Sequence, residues 1–334
     1  MTSALTKDRL STLSAVYRNG LLQDTLPFWF PRSVDPEYGG YFTCLDRDGS
    51  LLQTDKAVWF QGRMAWILST IYLEVEKRPE WLAYAQSGIS FIEKHCFDRD
   101  GRMFFSVTRE GAPLRKRRYQ FSETFAIIAF AAYARASGDE RYLDRAEALF
   151  QEIHLRHHTP GALPPKTDPN TRPMKGLAVP MIFLVTAQEV RKHRPSLFLD
   201  KVIADCLAEI ERDFYKPDMG CVLEVVAPDG GFIDNLDGRC VNPGHSIEAG
   251  WFILEEARQR GNDPDLVRLG TSIIRDSLEI GWDREYGGIY YFRDAKGLPC
   301  TEYWHDMKFW WPHNEAILAT LLAYELTGDP SFAE

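Results

Sequence analysis

Residues 242–251 read NPGHSIEAGW, and the histidine three positions ahead of a glutamate has the residue types that proton transfer uses. Asn242 suits a helix cap and Pro243 the first helical position, so His245 and Glu248 fall on one face at a helix N-terminus. The positive end of the helix dipole favours a neutral imidazole there, which is the form a general base needs. A cap whose histidine only bonds nearby carbonyls is the plainer reading, since a single H-x-x-E is a short motif. Arg63, in WFQGRMAW, is permanently charged and fork-shaped, which suits an oxygen that carries negative charge; its alternative is an ion pair between helices. Glu123, in FSETF, suits a sugar hydroxyl or a pair with Arg63 or Arg118. In MKFWWPHNEA, Trp310 and Trp311 form a wall on which a sugar ring stacks. His313 is there a substrate-binding, hydrogen-bonding neighbour, with proton transfer as its alternative, and Lys308 and Glu315 are supports. Trp59, Gln61 and Asn242 complete the expected substrate-binding set.

These residues stand at the starts of helices. Apolar periodicity predicts helices over 57–77, 80–95, 123–137, 140–154, 176–192 and 264–280, joined in pairs by breaks such as Arg78-Pro79 and Gly138-Asp139. Between the pairs, glycine-rich segments with alternating aromatics begin at Asp35, Asp98, Lys216 and Asp283, and each reads as a short β-hairpin. The first and last share D-x-E-Y-G-G, and the spacing of about 60 residues or its multiples signals repeats of one hairpin and one helix pair. The helices starting near Ala57, Glu123, Gly176, Gly244 and Lys308 are rich in small and aromatic residues, as an inner ring is, while their partners are more charged. The predicted fold is therefore an all-α toroid of helix pairs, a single domain over 1–334, with a central pocket lined by helix starts. Aromatics beside polar groups suit an uncharged, hydroxyl-rich ligand such as a sugar.

Composition narrows the partners. With 45% hydrophobic residues, a net charge of -9 and a pI near 5.5, the chain is globular and is not a general polyanion binder. The basic run Arg115 to Arg118 reads as a solvated loop. No basic-then-apolar leader opens the chain and no apolar run reaches the length of a membrane span, so no nucleic acid or membrane is expected and the location is the cytoplasm. Six cysteines without C-x-x-C spacing read as free thiols, and no metal is expected. His154, His157, His158 and His305 read as loop residues.

The segments KAVWFQGR, RRYQFSETF, CVNPGHSIEAGWF, GWDREYGGIYYF and MKFWWPHNEA resemble, in order, motifs of the N-acylglucosamine 2-epimerase family, known in animals as renin-binding protein. The similarity runs from about Asp24 to the last residue. It implies an (α/α)6 barrel and interconversion of N-acetylglucosamine and N-acetylmannosamine. It also implies no required cofactor or metal, with ATP as a non-hydrolysed activator. His245 matches a catalytic histidine of the family. Epimerisation removes the proton on carbon 2 of the open-chain aldehyde and returns one to the other face, which calls for a base on each side and a partner for the enolate. Glu248 then orients His245 or holds a hydroxyl, and Arg63 meets the enolate. The expected partner is a small amino sugar, and the expected assembly is a homodimer.

The chain departs from the family at its C-terminus. About ten helical stretches can be counted where six pairs need twelve, and the sequence stops in TGDPSFAE, a break that should begin another helix. The family's final helix pair, with its second catalytic histidine, is thus expected to be missing, leaving an apolar seam. Such a chain is a fragment, a short form that closes its seam by self-association, or a non-catalytic sugar- or protein-binding member. A glycosidase using Glu123 and Glu248 is a further alternative, and mannose- or cellobiose-type epimerases are alternatives in substrate. The apolar start GLAVPMIFLV of one inner helix, without histidine, tilts the choice toward an N-acyl sugar.

Overall fold

The computed structural model describes residues 5–333. Among them are ten helices of 13 residues or more, in line with the ten expected: α1 (Lys7–Asn19), α3 (Val58–Glu74), α4 (Pro79–His95), α5 (Phe121–Ser137), α6 (Arg141–His158), α7 (Ala178–Arg191), α8 (Leu197–Glu209), α9 (Pro243–Gln259), α10 (Pro264–Gly281) and α11 (Trp310–Thr327). A single turn, α2 (Leu26–Trp29), follows α1. Every strand is two or three residues long and belongs to a hairpin or to a small sheet between helices. The chain divides into two compact units. Residues 8–166 with 186–200 form one, and residues 167–185 with those from 201 onward form the other.

In the unit built on residues 8–166, α3 packs on α5 and α4, and α5 packs on α6. α5 is apolar on every side and is buried from Ser122 through Ile127 and again from Ala129 through Ala134, as an inner helix must be. α6 carries one apolar stripe, Leu143, Ala146, Leu149, Phe150 and Ile153, and turns its charges outward. Each fully buried side chain of Phe130 or Ile127 size contributes about 1.5–3 kcal/mol. In the other unit α9 packs on α10 and α11 around Ile247, Leu254, Ile274, Ile289, Ala319 and Ala323. α11 leaves Ile317, Leu318 and Leu321 between 44% and 51% exposed. The Gly-Asp-Pro break forms a 3-10 turn at Pro330–Phe332, capped by Asp329 and closed by Arg275 over the Phe332 ring.

The two D-x-E-Y-G-G hairpins have one geometry. Val34 bridges Tyr41 in the first, and Trp282 bridges Ile289 in the last. Asp35 Oδ1 accepts the backbone N–H groups of Glu37 and Tyr38, while Asp283 Oδ1 accepts those of Glu285 and Tyr286. The glycine pairs that follow, Gly39-Gly40 and Gly287-Gly288, turn the chain with φ between 69° and 85°, a region that side chains other than glycine rarely enter. Lys56 Nζ then ties the first hairpin to the start of α3, donating to Asp35 at 2.9 Å and to the carbonyls of Gly39 and Arg109. Lys308 Nζ does the same ahead of α11, at 2.6 Å from Asp283.

Two local expectations change. His154, His157 and His158 lie in the last two turns of α6, not in a loop; basic side chains suit that end of the helix dipole. In the Arg115 to Arg118 run, Lys116 is held by Asp98 and Asp100, and Arg117 lies over the Phe105 ring.

Candidate active site

His245 lies in the first turn of α9, and the sequence fixes it from both ends. The Asn242 side chain caps the helix by accepting the His245 N–H at 3.1 Å, with Pro243 at the first helical position. Gly244 leaves a gap that the Trp311 indole fills; a Cβ there would stand 2.5 Å from the ring. The indole consequently rests against the imidazole, with centroids 5.3 Å apart, and meets Tyr291 edge-on. The imidazole Nδ1 lies 3.0 Å from Glu224 Oε1. Among the described residues Nε2 takes no hydrogen bond, and the side chain is 37% exposed.

The electrostatics reverse one expectation. Burial and the helix N-terminus both disfavour an imidazolium, yet Glu224, Glu248 and Glu315 together outweigh them and push His245 up to about 9. At neutral pH the resting ring is therefore protonated and is poised as an acid. Glu315 also takes the indole N–H of Trp251 at 2.7 Å, which fixes the carboxylate beside the ring. Burial raises the Tyr291 phenol, so it too keeps its proton.

Arg63 and Trp59 belong to the unit that contains α3. Arg63 is exposed, and its guanidinium lies 4.6 Å from the centroid of Phe125 and 5.6 Å from that of Trp59. Cation–π contact of this kind holds a charge in place. Trp310 is 73% exposed, which leaves Trp311 as the indole of that pair in contact with His245.

Four residues expected to touch substrate each have at least one polar atom engaged in the framework. Gln61 is fully buried, and both ends of its amide bond the backbone of Tyr41, at 2.7 and 2.8 Å. Glu123 is fully buried and accepts the N–H of Met103, the bridge residue of the second hairpin, at 2.9 Å. His313 accepts the N–H of Ile289 on Nε2 at 3.0 Å, and its Nδ1 donates to the Phe309 carbonyl at 2.7 Å. All three do one job: a first-turn acceptor receives the hairpin residue that closes the β-bridge. Asn242, fully buried, is the cap already described. Lys308 ties down Asp283. With both ring nitrogens bonded, His313 is unsuited to carry protons in this geometry, and buried Glu123 is unsuited to act as a glycosidase acid.

Glu123 gives a test of the clamp. Burial raises its carboxyl against the pull of the Met103 N–H and the Arg102 and Arg156 charges, and Oε2 has no partner among the described residues. Because the folded value lies above the unfolded one, the cost of ionising Glu123 grows as pH rises past about 4.5. Glu123→Gln should therefore melt higher than the parent at pH 7 and no higher near pH 4. Glu123→Ala, which orphans the Met103 N–H, should lose about 1–3 kcal/mol or more by denaturant titration.

Glu224 was not anticipated from the sequence. Residues 215–226 alternate through CVLEVV, and a lone acid among apolar strand residues was the available signal.

A family model described as N-acylglucosamine 2-epimerase matches residues 40–334. The N-acylglucosamine 2-epimerase of Bos taurus is 35% identical over 316 residues, covering 93% of this chain and 75% of that protein. A cellobiose 2-epimerase of Ruminococcus albus is 27% identical, covering 95% and 82% respectively. Among solved structures, cellobiose 2-epimerase from Bacillus thermoamylovorans B4167 superimposes with a TM-score of 0.83 at 20% identity, over 97% of this chain and 84% of that one. That likeness shows a shared α/α fold.

Proposed function

The chain belongs to the N-acylglucosamine 2-epimerase family and is an enzyme of that isomerase type, and from this premise we propose that it interconverts N-acetyl-D-glucosamine and N-acetyl-D-mannosamine. The observation that carries the reading is His245: a ring held on one side by Glu224, packed on Trp311, with Nε2 unengaged. In the open-chain sugar the aldehyde makes the carbon 2 proton acidic. A base takes that proton, the electron pair moves into an enolate, and a proton returned to the opposite face gives the epimer. His245 Nε2 serves one face, giving a proton in one direction of the reaction and taking it in the other. Glu248 holds a hydroxyl or steadies the ring. Arg63 meets the enolate oxygen; Arg63→Lys, which loses the flat stacking surface over Phe125, should lower kcat by about 10²–10³-fold with little change in KM.

The start of α7 supports an N-acyl substrate. Ala178, Val179 and Ile182 are partly exposed apolar residues in the same unit as His245, and the Leu177 N–H just before them donates to the Glu224 carbonyl. An acyl methyl suits such a surface. The relatives that act on cellobiose favour a second reading, and a panel of N-acetylmannosamine, mannose and cellobiose separates the two. Exchange confined to the N-acyl sugar supports the first reading; faster turnover of cellobiose overturns it.

Epimerisation brings no net oxidation or reduction, so no redox cofactor is consumed, and ATP enters the proposal only as a non-hydrolysed activator. No helix among the described residues is long and apolar enough to cross a membrane. Six free cysteines suit the reducing cytoplasm proposed as its location. A homodimer is the proposed assembly.

A further inference from the structure

We propose that Glu224 is the positioning residue of this site: its carboxylate accepts a hydrogen bond from Nδ1–H of His245 and so commits Nε2 to the substrate. Its purpose rests on the epimerase reading; its geometry does not. Glu224 lies between two short strands, with its side chain 18% exposed. Its backbone is pinned on both sides. The N–H donates to the Cys240 carbonyl at 3.0 Å, in the strand that leads into α9, and the carbonyl accepts the Leu177 N–H at 3.0 Å, just before α7. The carboxylate therefore starts from a fixed point relative to the α9 N-terminus, where Asn242 fixes the backbone of His245 and Trp311 closes one face of the ring.

The charged groups that act on the ring come from three places. Glu224 comes from the hairpin, Glu248 from α9 itself and Glu315 from α11. Glu224 is hydrogen-bonded to Nδ1, whereas Glu248 and Glu315 act on the ring through their charge. The distinction matters for chemistry. A neutral ring with its proton on Nδ1 presents the Nε2 lone pair as a base, and the same ring after protonation presents Nε2–H as an acid. Both strokes use one atom in one orientation.

Histidine-labelled protein titrated by NMR tests this, with parent, Glu224→Gln, Glu224→Asp and Glu248→Gln compared. In Glu224→Gln the side-chain amide can donate to Nδ1, so the neutral ring should move its proton to Nε2. The titration midpoint of His245 should fall by about one pH unit or more. Glu224→Asp should restore part of the Nδ1 tautomer, and Glu248→Gln should lower the midpoint without moving the proton. In carbon 2 exchange, Glu224→Gln should lose about 10²–10⁴-fold in kcat, more than in KM, with the basic limb of its pH profile displaced downward. Stability follows the same sign. The folded value of about 9 lies above the ordinary 6.5, so the pair's contribution is complete below 6.5 and is lost as pH rises through 9. The melting deficit of Glu224→Gln should therefore shrink in alkali.

An unchanged tautomer and midpoint in a folded Glu224→Gln overturns the proposal, as does a tautomer change that appears in Glu248→Gln instead. If the tautomer moves as expected while the parent leaves every sugar of the panel unexchanged, the positioning role stands and the epimerase reading fails.

Discussion

Replacing His245 with alanine is expected to slow proton exchange at carbon 2 of N-acetylmannosamine by about 10²–10⁴-fold, the range that a positioned acid–base group contributes. Substrate affinity should change little, because Trp311 does not depend on the imidazole for its own support: it is seated over Gly244. The fold should also survive. The ring is partly exposed, and its removal leaves the Asn242 cap, which bonds the His245 backbone rather than its side chain. Single-turnover exchange measured beside far-UV circular dichroism separates these outcomes. A comparable loss caused by unfolding would appear in the spectrum.

The largest stability effect is expected at Asp35. Its side chain and that of Lys56 are both 0% exposed, and the carboxylate also takes two bonds from Arg109. Burial presses the Lys56 ammonium down while Asp35 supports it, and the two cations beside Asp35 hold its carboxyl well below the usual range. Asp35→Ala leaves a buried ammonium without its counter-charge, which costs about 3–5 kcal/mol. The equivalent change in the last repeat, Asp283→Ala, should cost only about 1 kcal/mol, because Lys308 is 29% exposed and turns to water when released. Since the folded carboxyl of Asp35 sits below its unfolded value, its stabilisation is fully present above the ordinary carboxylate range and is lost progressively as pH falls below that range toward the depressed folded value. Urea titrations of the two variants at pH 7 check the ratio; equal losses would contradict the difference in burial.

Much of this architecture was legible in the residues. Repeated D-x-E-Y-G-G, proline and glycine breaks and apolar periodicity gave the hairpins and the ten helices, because turns and buried faces are local properties. His245 was legible too, through the Asn-Pro cap that places it. Its protonation was not: Glu224 and Glu315 stand 21 residues before it and 70 after it, and only folding brings their charge to the ring. The clamps were misread for a different reason. A polar residue at a helix start signals either a pocket or a tie to the preceding hairpin, and the spacing of helix starts alone does not separate the two. The repeat held the answer. Gln61 follows Lys56 by five residues, and His313 follows Lys308 by five, each after the same hairpin. Residues at one place in two repeats do the work of the repeat, whereas catalysis uses positions that the repeat does not share.

Incubation of the parent chain with N-acetylmannosamine in deuterium oxide, with and without ATP, tests epimerisation most directly. The expected result is loss of the carbon 2 proton signal together with growth of N-acetylglucosamine deuterated at carbon 2, abolished in His245→Ala. Absence of deuterium at carbon 2 with a folded parent protein, or equal exchange in parent and His245→Ala, would contradict proton transfer through His245.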